Sequence, residues 1–194
     1  MDPIYINYNQ EETGLRYKIV EFIQTLVVFA AIGTAIYLFI AQPHKVSGSS
    51  MFPTLKTGDY IITNKIGYRL EQPKKGEIIV FKNPREESQD FIKRIIGVPG
   101  DRVKIEGGHF FVNDQQLSES SYLESSVYTS SGAFLREGEE ITVSPNHYFV
   151  AGDNRLASSD SREWGFVTRE EIIGKAFFRY WPLSAVGIIN SASY

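Results

Sequence analysis

Four hydroxyls crowd the stretch Ser47-Gly-Ser-Ser-Met-Phe-Pro-Thr-Leu55. A hydroxyl is a poor nucleophile at neutral pH until a neighbouring base takes its proton. No His, Asp or Glu lies between Ser47 and Leu55, so the base must come from elsewhere, and Lys93 in Asp90-Phe-Ile-Lys-Arg-Ile-Ile-Gly97 is the candidate. If residues 90–96 form a strand, Phe91, Lys93 and Ile95 share one face, and Ile92, Arg94 and Ile96 the other. Each face is apolar apart from one cation, which must be covered or reach out past its neighbours. Covering lowers the pKa of an ammonium, by up to about 3–5 units when burial is complete. Guanidinium stays protonated, so Arg94 cannot serve as a base and Lys93 can. On spacing alone a lysine that snorkels to water competes with this reading.

A second cluster is Gly152-Asp-Asn-Arg-Leu-Ala-Ser-Ser-Asp-Ser-Arg162. Asp and Asn side chains bond nearby backbone, and Arg grips carboxylate with two prongs. The stretch reads as a loop tied by Asp153, Asp160 and Arg162 that holds one hydroxyl, Ser158 or Ser159, in place. It lacks the alternating acids and closing Glu of a helix-loop-helix calcium site. The histidines, His44, His109 and His147, lie in no distinctive motif, which leaves a serine-histidine-acid triad as a weaker reading. No phosphate loop or zinc-binding His pair is present, and neither metal nor cofactor is expected.

These groups need a scaffold. Phe22 to Ala41 is a run of twenty residues without charge, about the length a helix needs to cross the hydrocarbon core. It is too long for the apolar core of a cleaved signal peptide, and its leader is mostly acidic. The sequence therefore divides into a polar segment 1–21, an anchor 22–41 and a body 42–194. Arg16 and Lys18 on one side balance Lys45 and Lys56 on the other, so charge does not orient the anchor. The body reads as short strands: Tyr60–Thr63, Glu77–Lys82, Phe91–Ile96, Arg102–Ile105, Glu140–Val143, Tyr148–Ala151 and Lys175–Trp181, with turn residues between them. Gly107-Gly108 predicts a hairpin turn and Asn113-Asp114 the next one. Residues 118–138, rich in Ser, Thr, Glu and Gly, are expected to be a mobile insertion or irregular loop. Glu170–Gly174 suggests one helical turn. Together these predict a mainly β fold, an antiparallel barrel or sandwich-like body with one N-terminal transmembrane helix.

The chain has 194 residues and a formal net charge of -3, so no basic field invites nucleic acid. It has no cysteine, which excludes thiol catalysis, disulfides and Cys-ligated zinc.

Taken in order, Ser50-Met-Phe-Pro-Thr-Leu55 with Gly58-Asp59, Lys93-Arg-Ile-Ile-Gly-Val-Pro-Gly-Asp101 and Gly152 to Arg162 resemble type I signal peptidases. These are membrane-anchored serine-lysine enzymes that remove signal peptides from exported proteins, and the compact Gram-positive form is the nearer likeness. The resemblance implies Ser50 as nucleophile, Lys93 as general base and Ser158 as the serine that orients the lysine. It also implies Asp153, Asp160 and Arg162 as a structural ion-pair loop. Gly48 stands where some members carry a hydroxyl that helps hold the oxyanion, so the second oxyanion donor is left open. Val46, Met51, Leu55, Phe91 and Ile92 fall where the family builds small apolar pockets. The implied partners are secretory preproteins with Ala-x-Ala-like cleavage sites and membrane lipid, with no nucleic acid. The implied location is the cell membrane, in a single pass, with the catalytic body outside the cytoplasm. Ser50 lies nine positions past Ala41, hence at most about 30 Å along the chain from the end of the predicted span. A catalytically silent, membrane-tethered β-domain that binds peptides is the alternative function.

Overall fold

The computed structural model describes residues 9–194 and separates into two compact units that meet in the chain between Ile40 and Ala41. The first is one helix, α1 (Asn9–Phe39), with Pro absent from its length. Its stretch Gly14–Phe39 is long and apolar enough to cross a membrane, and none of it is buried by protein. A helix apolar on all sides has no polar face to give to water. Thr25 satisfies its hydroxyl by donating to the Glu21 carbonyl one turn back, at 2.8 Å. The helix starts earlier and stops sooner than the predicted anchor 22–41, because Ala41 is already the first residue of a strand.

The second unit is built from strands in the order β1 (Ala41–Lys45), β2 (Tyr60–Asn64), β3 (Ile78–Asn83), β4 (Glu86–Gly97), β5 (Arg102–Glu106), β6 (His109–Val112), β7 (Gln115–Gln116), β8 (Glu140–Thr142), β9 (His147–Ala151), β10 (Val167–Thr168), β11 (Ile172–Trp181) and β12 (Gly187–Ile188). Short helical turns α2 (Gly67–Leu70) and α3 (Ser161–Trp164) interrupt them. One sheet runs β1-β2-β11-β3-β4-β9-β10, with β12 added to β11, and a smaller one runs β7-β6-β5-β8. Every strand pairing in both sheets is antiparallel.

The large sheet is covered on both faces, which is why β3 reads as an unbroken apolar run rather than an alternating one. Ile78 and Val80 enter one core with Val46, Met51, Leu55, Ile61 and Ala176. Ile79 and Phe81 enter another with Ile95, Tyr148, Val150 and Ile172. A third core, around Val103, Ile105, Phe110 and Phe149, packs the small sheet.

The hairpin turn falls at Gly107-Gly108, where both residues take positive φ, and Glu106 pairs with His109. Asn113 and Asp114, also at positive φ, close the β6–β7 turn. Residues 118–138 hold no helix or strand beyond one isolated bridge from Glu137, yet they are tied down. Leu123, Thr129 and Leu135 are buried, and the Arg155 guanidinium donates to Glu119 and to the Thr129 hydroxyl. Of the two readings the polar composition allowed, the irregular loop is the one the structure shows, tied to Arg155 by Glu119 and Thr129. The helical turn expected at Glu170–Gly174 is instead a tight turn leading into β11, since Ile172 pairs with Phe81.

Candidate active site

Ser50 sits on the turn that follows β1, and two features hold that turn. Met51 and Leu55, each 1% exposed, anchor it from below in the core. Hydrogen bonds cross it as well: the Phe52 amide donates to the Ser49 carbonyl at 3.0 Å, and the Leu55 amide to the Met51 carbonyl at 2.9 Å. Gly48, at φ +94, carries the chain into it in a conformation L side chains rarely adopt, and the Gly48 carbonyl accepts from the Thr57 hydroxyl.

Lys93 arrives from β4 in register with Ile79 of β3. Its Nζ lies 2.8 Å from Ser50 Oγ across 43 positions of sequence, and 3.0 Å from the Ile92 carbonyl. The amine also lies over the Phe91 ring, 5.1 Å from its centroid. Only 4% of the residue is exposed. Burial is the main influence on its pKa and pushes it down, to about 8, against the opposing pull of Asp160 and Asp153. Snorkelling to solvent is therefore excluded.

The neighbouring cation has the opposite role. Arg94 is buried and fork-bonded to Asp153, with Nε and the second guanidinium nitrogen 2.8 and 2.7 Å from the two carboxylate oxygens. The Thr54 hydroxyl donates to the same carboxylate at 2.5 Å. From the next residue, the Asn154 amide donates to the Ser50 carbonyl at 2.9 Å, and its side chain to the Ser49 carbonyl. Asp153 thus ties the loop, as the sequence suggested, and does so through β4 and the Ser50 turn. Asp160 and Arg162 do pair, both contacts being 2.8 Å, and Asp160 also accepts from the Gly152 amide and caps α3. The sequence missed Arg94, Arg155 and Thr54 in these roles. Arg155 links this loop to Glu119, a contact between distant segments that no local spacing signals.

Ser158 does not hydrogen-bond Lys93. Its Oγ is buried and without a partner among the described residues. It stands over Gly152, where an added Cβ would lie 2.3 Å from Ser158 Oγ and 2.4 Å from the Ser50 carbonyl oxygen. A backbone oxygen cannot swing aside as a flexible side chain does, so Gly152→Ala must displace the Ser50 backbone. Displacements of about 1 Å can cost of order 10²-fold in rate. The Gly152→Ala protein is expected to lose activity on that scale while keeping its circular dichroism spectrum, and unchanged turnover would refute the close approach.

A pocket of about 270 Å³ opens beside the pair, lined by Ser50, Lys93, Val46, Phe91, Ile92 and Val80 among others. Val46, Phe91 and Ile92 thus fall where the sequence placed them, whereas Met51 and Leu55 lie in the core and not on the pocket wall. His44 and Asp90 also line it, and nothing in the sequence singled them out. Burial lowers the His44 pKa, with Asp90 opposing.

A family model described as signal peptidase, peptidase S26, matches residues 19–181. The chain is 39% identical over 173 residues to the probable signal peptidase I-2 of Synechocystis sp., covering 86% of this chain and 75% of the relative. It is 33% identical over 181 residues to signal peptidase IB of Staphylococcus aureus, covering 88% and 93%. A crystal structure of a signal peptidase I from Enterococcus faecalis matches at 30% identity and a TM-score of 0.45, over 54% of this chain and 97% of that one. With the family model matched from residue 19 to residue 181, a span that includes both the Ser50 turn and the Lys93 strand, the chain belongs to the signal peptidase family, peptidase S26.

Proposed function

We propose that this peptidase cleaves signal peptides with a Ser50–Lys93 dyad, its body outside the cytoplasm and α1 crossing the membrane once. The observation that carries the reading is the buried contact of 2.8 Å between Lys93 Nζ and Ser50 Oγ. As a neutral amine, Lys93 accepts the Ser50 proton while Oγ attacks the scissile carbonyl. The ammonium so formed then gives that proton to the leaving amine as the peptide bond breaks. The amine, neutral again, takes a proton from water as its oxygen attacks the acyl-serine, and the ammonium returns that proton to Ser50 Oγ as the ester bond breaks and the signal peptide leaves. The Ser50 backbone N–H is assigned to the developing oxyanion. Apolar walls from Val46, Ile92 and Val80 in a small pocket support small residues, as in Ala-x-Ala, on the signal-peptide side of the cut.

The test uses membranes carrying the full chain and a preprotein with an Ala-x-Ala site. Wild type is expected to cleave after the second Ala, Ser50→Ala to cleave nothing, and a Trp in place of that Ala to block cleavage. Release of the mature protein by Ser50→Ala membranes would reject the nucleophile.

The pH profile is a separate prediction. Only the uncharged amine is a base, so kcat/KM should climb from pH 6, pass half-maximum near the Lys93 pKa of about 8 and level off above it. A profile that is flat, or falls, between pH 7 and 9 would remove Lys93 as the base.

A further inference from the structure

A peptide cut at Ser50 has chain on both sides of the reacting carbonyl, and the pocket beside Lys93 accounts for one side. A second groove of about 430 Å³ abuts the same turn, lined by Phe52, Leu123, Val127, Tyr128, Asn154 and Leu156 among others. The two depressions share no lining residue. They meet at the catalytic turn: Ser50 opens on the first, and Phe52, two positions on, opens on the second. Two positions span at most about 7 Å between Cα atoms, which is also the reach of two extended peptide residues. Asn154, in the groove wall, donates its amide to the Ser50 carbonyl.

The groove is preformed. Arg155, between Asn154 and Leu156, holds Glu119 at 2.5 Å and the Thr129 hydroxyl at 2.9 Å, fastening one wall to the other. Tyr128 rests on Gly108, where even a Cβ would lie 2.2 Å from its ring. Nevertheless Phe52 is 50% exposed, Tyr128 55% and Leu156 76%. Apolar side chains clustered and fixed at a cleft, with the fold leaving them open, mark a surface that something covers.

Resting on the reading of Ser50 as nucleophile, we propose that this groove binds the first residues of the mature chain, just past the scissile bond, and selects an apolar side chain there. Residues 118–130 then form one wall of the substrate site, and Tyr128 and Leu156 determine specificity on the leaving side.

The test uses the full chain in detergent. Ser50→Ala protein is incubated with a peptide that carries an Ala-x-Ala site and a benzophenone side chain at the second residue past it. After irradiation, the label is expected on Val127–Tyr128 or Asn154–Leu156, and label found only elsewhere overturns the proposal. In parallel, wild type is given two peptides that differ only at that residue, Leu or Ser. A preference for Leu of about tenfold in kcat/KM, carried mainly by KM, is the scale a hydrophobic pocket delivers. In the Tyr128→Ser/Leu156→Ser protein the preference should fall below about threefold, on the same scale. An equal preference in both proteins overturns the proposal, and so does labelling of detergent or a second copy in place of the groove. Cleavage by Ser50→Ala protein would instead refute the nucleophile, and the crosslink alone would then decide the groove.

Discussion

Lys93→Met protein should be inactive and, at pH 7, more stable than wild type. The loss follows from removing the amine that, among the described residues, lies within hydrogen-bond reach of Ser50 Oγ, the base of the proposed mechanism. Removing one member of a catalytic unit that acts together commonly costs about 10⁴-fold or more in kcat. The gain in stability follows from the same burial. Below about pH 8 the amine is charged in both the folded and the unfolded chain, so folding must strip water from an ammonium. Between about 8 and the ordinary lysine value of 10.5, the folded protein releases its proton first and stability rises with pH. Above that range both states are neutral and the penalty is gone. A displacement from 10.5 to about 8 corresponds to about 3 kcal/mol at 1.36 kcal/mol per unit. Methionine fills much of the same volume without that cost but loses the contacts with Ser50 and the Ile92 carbonyl. A net gain of about 2 kcal/mol at pH 7, shrinking toward zero or below by pH 11, is therefore expected. Urea unfolding of the solubilised full chain at the two pH values measures it. A Lys93→Met protein less stable than wild type at pH 7 would show that the buried amine is not held at a cost.

The second large effect is at Asp153. Asp153→Ala leaves Arg94 charged, 1% exposed and without its fork partner, and it also strands the Thr54 hydroxyl. Breaking a buried pair from one side typically costs about 3–5 kcal/mol, much of it from the uncompensated charge. The companion Arg94→Met/Asp153→Leu protein removes both charges and should recover most of that loss, because a buried pair stabilises little against apolar replacements. Activity is expected to stay low in both, since the Asp153–Thr54 contact helps set the Ser50 turn. If the single and double replacements cost the same, the pair is not what holds the loop.

Much of this protein is legible without coordinates. The apolar run that becomes α1 is set by composition alone, because a helix satisfies its own backbone and needs no partner to declare itself. Strands β2 to β6 and their turns follow from local rules: short β-branched and aromatic runs bounded by turn residues, and Gly or Asn at turn positions where φ is positive. The choice of a candidate base was also local in origin. Of the two cations in Phe91–Ile96, only the lysine amine can shed its charge on burial, so β4 offered Lys93 and not Arg94.

Tertiary structure decided what depends on distant segments meeting. The contact between Ser50 and Lys93 spans 43 positions, Arg94 and Asp153 span 59, and Arg155 and Glu119 span 36. No periodicity records such pairings, since any acid in the sequence suits any arginine until the sheet fixes its neighbours. For that reason the sequence left residues 118–138 as a mobile insertion or irregular loop, and the structure shows an irregular loop tied to Arg155; Asp153 read as a tie of the 152–162 loop, and its partner is Arg94 of β4. Met51 and Leu55 read as pocket residues and lie instead in the core beneath the Ser50 turn, because burial is a property of packing and not of residue type.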